Sequence, residues 1–143
     1  MLHLSVLSSV LQTWSAQGKL TRVPVQGDSM TPLLQPGDTL VVQCGAPRVR
    51  FGDLVLRWAA SNDAPEHRVL LAHRVVKLGR DDDGLWYVTK GDRCARFDPP
   101  ARSSDLVGKV VAIETGKTAA NLVRRCWIKL GWLWALRSMR SAR

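Results

Sequence analysis

The sequence predicts a mainly β domain, a compact barrel-like body with an amphipathic helix before it and a basic, aromatic helix after it. Three observations carry that expectation. Short runs rich in Val and Leu recur between Thr21 and Thr115, at lengths that suit strands better than helices. Turn-forming clusters separate nearly all of them, among them Pro36-Gly37-Asp38, Asp82-Asp83-Gly84 and Asp98-Pro99-Pro100. With 143 residues, 45% of them apolar, the chain is long enough for one domain with a real core and short for two.

Taken in order, Leu4, Leu7, Leu11 and Trp14 recur at helical spacing, so residues 2–16 read as an amphipathic helix ending before Gly18, and residues 1–18 as one unit. The expected strands are Arg22–Val25, Thr39–Gln43, Asp53–Trp58, Val69–Leu78, Leu85–Thr89 and Val107–Thr115, within a domain spanning 19–117. Residues 118–143 differ again. Three tryptophans stand close together there, with arginine or lysine at both ends, the pattern that a membrane headgroup layer selects. Such a helix lies on an anionic membrane surface, docks on a partner, or closes the β core with its aromatic face.

The formal charge of +9 favours an anionic partner: a phospholipid surface, a nucleic acid or an acidic peptide. Cys44, Cys94 and Cys126 are widely spaced, with no CxxC pair. That argues against a zinc site or disulfide framework and for a reducing compartment. The N-terminus has no basic stretch before its apolar part, unlike a secretory signal. Nowhere do about 18 apolar residues run uninterrupted, as an unaided membrane-spanning helix requires.

One stretch stands out chemically. In Gly27-Asp28-Ser29-Met30-Thr31-Pro32-Leu33-Leu34-Gln35-Pro36-Gly37-Asp38, a serine sits between a glycine, where a substrate can approach closely, and a proline that fixes the next turn. The arrangement suits a nucleophile whose own amide N–H serves a developing oxyanion. An ordinary turn with Ser29 bonded to backbone is the commoner use of such a stretch. A nucleophilic serine needs a base. His73, inside the apolar run 69–76, would be partly desolvated and kept neutral. His67 lies beside Glu66 and Arg68 in a polar loop, and His3 is near the terminus. Asp92 and Asp98 are the carboxylates available to orient an imidazole, and Lys77 and Lys90 are the lysines a Ser/Lys pair would need.

The run Gly27–Asp38 resembles the serine box of type I signal peptidases, "LAHRVV" at 71–76 resembles their second box, and "VTKGD" at 88–92 with "FDPP" at 97–100 resembles the third. "VGKVVAIE" at 107–114 resembles a closing strand of that family. A histidine in the second box is a feature of the endoplasmic-reticulum type and its relatives, where bacterial housekeeping members use lysine. The resemblance implies a signal-peptidase-like partly open β-barrel, with Ser29 as nucleophile, His73 as general base and Asp98 orienting it. Asp92 supports the site or shares that role. It further implies an oxyanion site at Gly27 and Ser29, and shallow pockets formed by Met30, Pro32 and Leu33. The implied substrate is a leader or precursor peptide, and neither metal nor organic cofactor is required. The sequence departs from the pattern at Arg93 and Cys94, where a small residue and Asn are usual, and at Gly27, where many members carry a hydroxyl.

With no spanning segment, the expected location is cytoplasmic, peripheral at the inner face of a membrane, the alternative being a membrane protein with its active site outside. Two other functions compete. Self-cleaving repressors resemble the first box, but pair Ser with Lys and cut a Cys-Gly or Ala-Gly bond upstream of the nucleophile; here Cys44-Gly45 lies after Ser29. A non-catalytic basic module for membrane or nucleic acid is the other, although no nucleic-acid-binding motif is present and the basic residues outside the tail are scattered.

Overall fold

A computed structural model describes residues 13, 17–45, 48–61 and 63–115. The expected tail helix at 118–143 and all but three residues of the expected N-terminal unit lie outside the described residues. The body is β1 (Leu20–Pro24), β2 (Thr39–Cys44), β3 (Leu54–Ala60), β4 (Arg68–Asp81), β5 (Gly84–Lys90), the two-residue β6 (Ala101–Arg102), a 3-10 turn at Ser103–Asp105, and β7 (Leu106–Glu114). Among the described residues no helix is long and apolar enough to cross a membrane.

Alternation decides which sides are buried. In β2, Leu40, Val42 and Cys44 are buried while Thr39, Val41 and Gln43 are less so, the period of a strand with one wet face. β4 and β5 are joined by Asp82-Asp83, and Gly84 follows with φ +102°, a conformation that costs glycine little.

All seven strands form one antiparallel sheet of order β1-β2-β7-β3-β4-β5-β6. The expected partly open barrel therefore takes the form of a single open sheet. Its outermost strands are β1 and the very short β6, which pairs with β5 through two residues and has no length left for a further neighbour. Met30, Leu33, Leu34, Leu40, Val42, Leu54, Leu56 and Val110 form the larger apolar cluster. Val55, Val75, Tyr87 and Leu106 belong to a second one.

The 14-residue β4 changes neighbour along its length. Residues 68–74 pair with β3, whereas β5 pairs only from Arg74 onward. At that junction Arg74, 1% exposed, donates from Nε to Asp92 Oδ1 at 2.9 Å and from Nη2 to Oδ2 at 2.8 Å, and from Nη1 to the Gly52 carbonyl at 3.0 Å. The fork geometry matches a carboxylate. This pair fastens the loop after β5 to the middle of β4.

Removing one member leaves a buried charge unpaired, so Asp92→Ala should destabilise the fold by about 3–5 kcal/mol. Joint replacement by apolar residues, Arg74→Met with Asp92→Leu, should cost much less. Urea unfolding of the three variants checks both; equal losses in the single and double variants would show that the charge is not what matters.

Candidate active site

Ser29 stands at the start of a tight turn after β1, closed by backbone bonds from Thr31 N–H to the Asp28 carbonyl at 3.0 Å and from Leu34 N–H to the Met30 carbonyl at 2.9 Å. The loop after β5 holds that turn. Arg93 N–H donates to the Ser29 carbonyl at 2.9 Å, Asp92 N–H to Met30 Sδ at 3.3 Å, and the exposed Arg93 side chain to Asp28 at 2.7 Å.

His73 enters from β4, opposite Val55 on β3, and is 5% exposed. Its Nε2 lies 2.9 Å from Ser29 Oγ and its Nδ1 2.6 Å from Asp98 Oδ2. A carboxylate only accepts, so Nδ1 carries the proton and Nε2 is left to accept from the serine hydroxyl. Asp98 reaches His73 because its own N–H bonds the Thr89 carbonyl at 2.9 Å, which folds the loop back alongside β5. Burial alone would push the Asp98 carboxyl up. The hydrogen bonds from His73 and Thr89, with the charges of His73 and Arg57, outweigh it and hold Asp98 below its ordinary value.

Gly91 is the closest fit in the site. A Cβ there would lie 2.6 Å from Cys94 Sγ, 2.8 Å from the Ser29 carbonyl and 3.1 Å from His73 Nε2, so the loop packs against both Ser29 and His73 only because this position has no side chain. A Cβ at Gly27 would instead meet nothing within 4 Å. Gly27 borders a cavity of about 430 Å³, with Val23–Gln26 on one side and Val69–His73 on another, and Ser29, Met30, Leu34, Leu40 and Leu56 completing it.

The structure brings Ser29, His73 and Asp98 into one line. Asp92 is instead paired with Arg74, with its side chain wholly buried. Met30 lines the cavity, but Leu33 is buried in the core and Pro32 is exposed, and neither borders it; Leu34 does. His67 is exposed and His3 lies outside the described residues. Lys77 and Lys90 converge on the Phe97 ring, at 5.0 and 6.0 Å. Cys94 stands beside Gly91; burial pushes its thiol up and the Asp98 charge adds to that, against a smaller opposing effect of Lys90, so it stays protonated beside the serine. Sequence reasoning passed over Thr89, Arg57, Arg74 and Gly91. A charged residue inside an apolar run, as in Leu54-Val55-Leu56-Arg57-Trp58, was the available signal.

No family model matches the chain. Among curated proteins, it is similar to the signal peptidase complex catalytic subunit SEC11 of Ajellomyces capsulatus, with 30% identity over an alignment of 131 positions that takes in 73% of this chain and 67% of the relative. With that identity over two thirds of the relative's length, and an antiparallel sheet carrying the three boxes noted in the sequence, the chain belongs to the signal peptidase family.

Proposed function

We propose that this protein is a serine endopeptidase of signal-peptidase type that cuts a leader or precursor peptide, with Ser29 as nucleophile, His73 as general base and Asp98 orienting the imidazole. The observation that carries the reading is the hydrogen-bonded line from Ser29 Oγ through His73 to Asp98 at the rim of an apolar cavity. Ser29 Oγ attacks the scissile carbonyl while its proton passes to His73 Nε2. The tetrahedral oxyanion collects at the Ser29 amide, with Gly27 leaving room for it. Collapse breaks the C–N bond, and His73 returns the proton to the departing amine. Water, deprotonated by the same nitrogen, then hydrolyses the acyl-serine and restores the hydroxyl.

The cavity supports a peptide substrate. Among the described residues, β1 pairs only with β2, and residues 68–73 of β4 pair only with β3. Both therefore offer free backbone edges, and both border the cavity. An extended chain lying there would add main-chain hydrogen bonds as a strand does. Shallow apolar walls from Val23, Val25, Met30 and Leu34 suit small side chains before the cut. The relative's printed name is a catalytic subunit of a signal peptidase complex, which supports the same substrate class.

A serine-directed acylating probe, with the adduct located by peptide mass spectrometry, tests the reading. Wild type should label at Ser29, and both Ser29→Ala and His73→Ala should lose labelling and peptide cleavage by about 10⁴-fold or more, with Ser29→Ala unfolding as wild type does and His73→Ala still folded under the assay conditions. Full cleavage by either variant would sink the assignment.

Gly91→Ala should lower activity well beyond its effect on stability, because the added methyl meets the Ser29 carbonyl and His73; unchanged kcat would count against the packing account. Asp98 has a depressed folded pKa, so its stabilisation is present above the ordinary carboxylate pKa and lost as pH falls through the folded value. The stability gap between wild type and Asp98→Asn should thus be constant near neutrality and close below about pH 4. Denaturant midpoints across pH measure it, and a gap that persists in acid would refute the charge-based origin.

A further inference from the structure

Arg57 is 3% exposed, and among the described residues no carboxylate lies within ion-pair distance of it. A guanidinium in that position must be satisfied by other acceptors. Its Nη1 donates to Thr89 Oγ1 at 3.2 Å and to the Pro99 carbonyl at 3.0 Å, Nε approaches the Trp58 carbonyl at 3.4 Å, and the group lies 5.8 Å over the Tyr87 ring. Two of these acceptors bracket Asp98. Pro99 is the next residue in the chain, and Thr89 Oγ1 donates to Asp98 Oδ2 at 2.6 Å.

The direction of those bonds follows from the donors available. Arginine has no acceptor, so the Thr89 oxygen must receive from Arg57 and its single proton is turned toward Asp98. Asp98 Oδ2 then receives both the Thr89 hydroxyl and His73 Nδ1–H. Strand register puts the three contributors on one face: Arg57 is two residues from Val55, which pairs with His73, and Thr89 pairs with Val75, two residues from His73.

Resting on the Ser29 and His73 reading above, we infer that Arg57 is a positioning residue of the catalytic line: through the Thr89 hydroxyl and the Pro99 carbonyl it aims one Asp98 oxygen at His73 Nδ1, and so fixes the tautomer that leaves Nε2 free to take the serine proton. Thr89 is the relay. Without the arginine, the threonine hydroxyl is free to rotate and the Asp98 carboxylate loses one of its two fixed directions. The Arg57 charge also helps keep Asp98 ionised.

The test measures the rate at which the acylating probe modifies Ser29 in the full chain, across probe concentration and pH, for wild type, Thr89→Val, Thr89→Ser, Arg57→Met and the double variant Arg57→Met/Thr89→Val. Losing a hydrogen bond to a charged group should slow labelling at saturating probe by about 10-fold to 100-fold in Thr89→Val, with half-saturation unchanged and the rate largely restored in Thr89→Ser. Arg57→Met should act in the same direction, and the double variant should label within a few-fold of Thr89→Val, since both changes act through one hydroxyl. The downfield proton resonance of the His73 Nδ1–H should shift in Thr89→Val and return in Thr89→Ser. A folded Thr89→Val that labels at the wild-type rate at every pH would overturn the inference while leaving the Ser/His reading intact, as would a Thr89→Ser no faster than Thr89→Val. Should Arg57→Met fail to fold, the valine and serine pair decides alone. Wild type that does not label at Ser29 removes the Ser/His reading and this inference together.

Discussion

Two neighbouring residues of one strand carry the whole arrangement. In β4 the side chains of His73 and Arg74 leave on opposite faces, as successive residues of a strand must, and each holds one end of the same loop. Arg74 grips Asp92 at the start of it and His73 meets Asp98 near its end. The loop cannot shift along the sheet without breaking one or the other. Because that loop also bonds the Ser29 carbonyl and the Met30 sulfur, the position of Ser29 depends on the same two side chains. A strand that changes neighbour at Arg74 is what frees His73 to face an open edge while Arg74 is already inside the sheet.

The two faces are treated differently by the chemistry. On Arg74's side a charge pair is sealed from water, so the interaction is structural and insensitive to what enters the cavity. On His73's side Arg57, Thr89, Asp98, His73 and Ser29 form one hydrogen-bonded chain, with Arg57, Thr89 and His73 buried and Asp98 and Ser29 partly exposed. Donation converges on Asp98 from both ends, from Arg57 through Thr89 on one side and from Ser29 through His73 on the other. Cys94, which stands beside Gly91, is kept protonated by burial and by the Asp98 charge, and so is held out of its reactive thiolate form.

Much of this was legible in the sequence because it depends on short-range patterns. Each of the six expected runs overlaps a strand, since alternating Val and Leu between Pro, Gly and Asp turns leave little choice of backbone. What escaped has a common cause. The two residues of β6 are too few to show a period, and the order in which the sheet places β7 between β2 and β3 is a matter of pairings far apart in sequence. Asp92 and Asp98 look alike in the text; only the opposed directions of His73 and Arg74 separate them. Leu33 and Leu34 look alike too; both end in the same core cluster, and only Leu34 also borders the cavity. Arg57 read as part of an apolar run, because burial of a charge is visible only once Thr89 and Pro99 stand beside it.

On the peptidase reading proposed above, the edges of β1 and β4 that are unpaired among the described residues carry a consequence for selection. An unpaired strand edge offers amide and carbonyl groups to any chain whose own are uncommitted, and it recognises backbone rather than sequence. A folded protein has already spent those groups on its own helices and sheets. An extended segment, such as a tail or a chain not yet folded, has not. On that reading the groove would sort polypeptides first by whether they are folded, and the few side chains lining it would need only to choose the position along a strand already admitted.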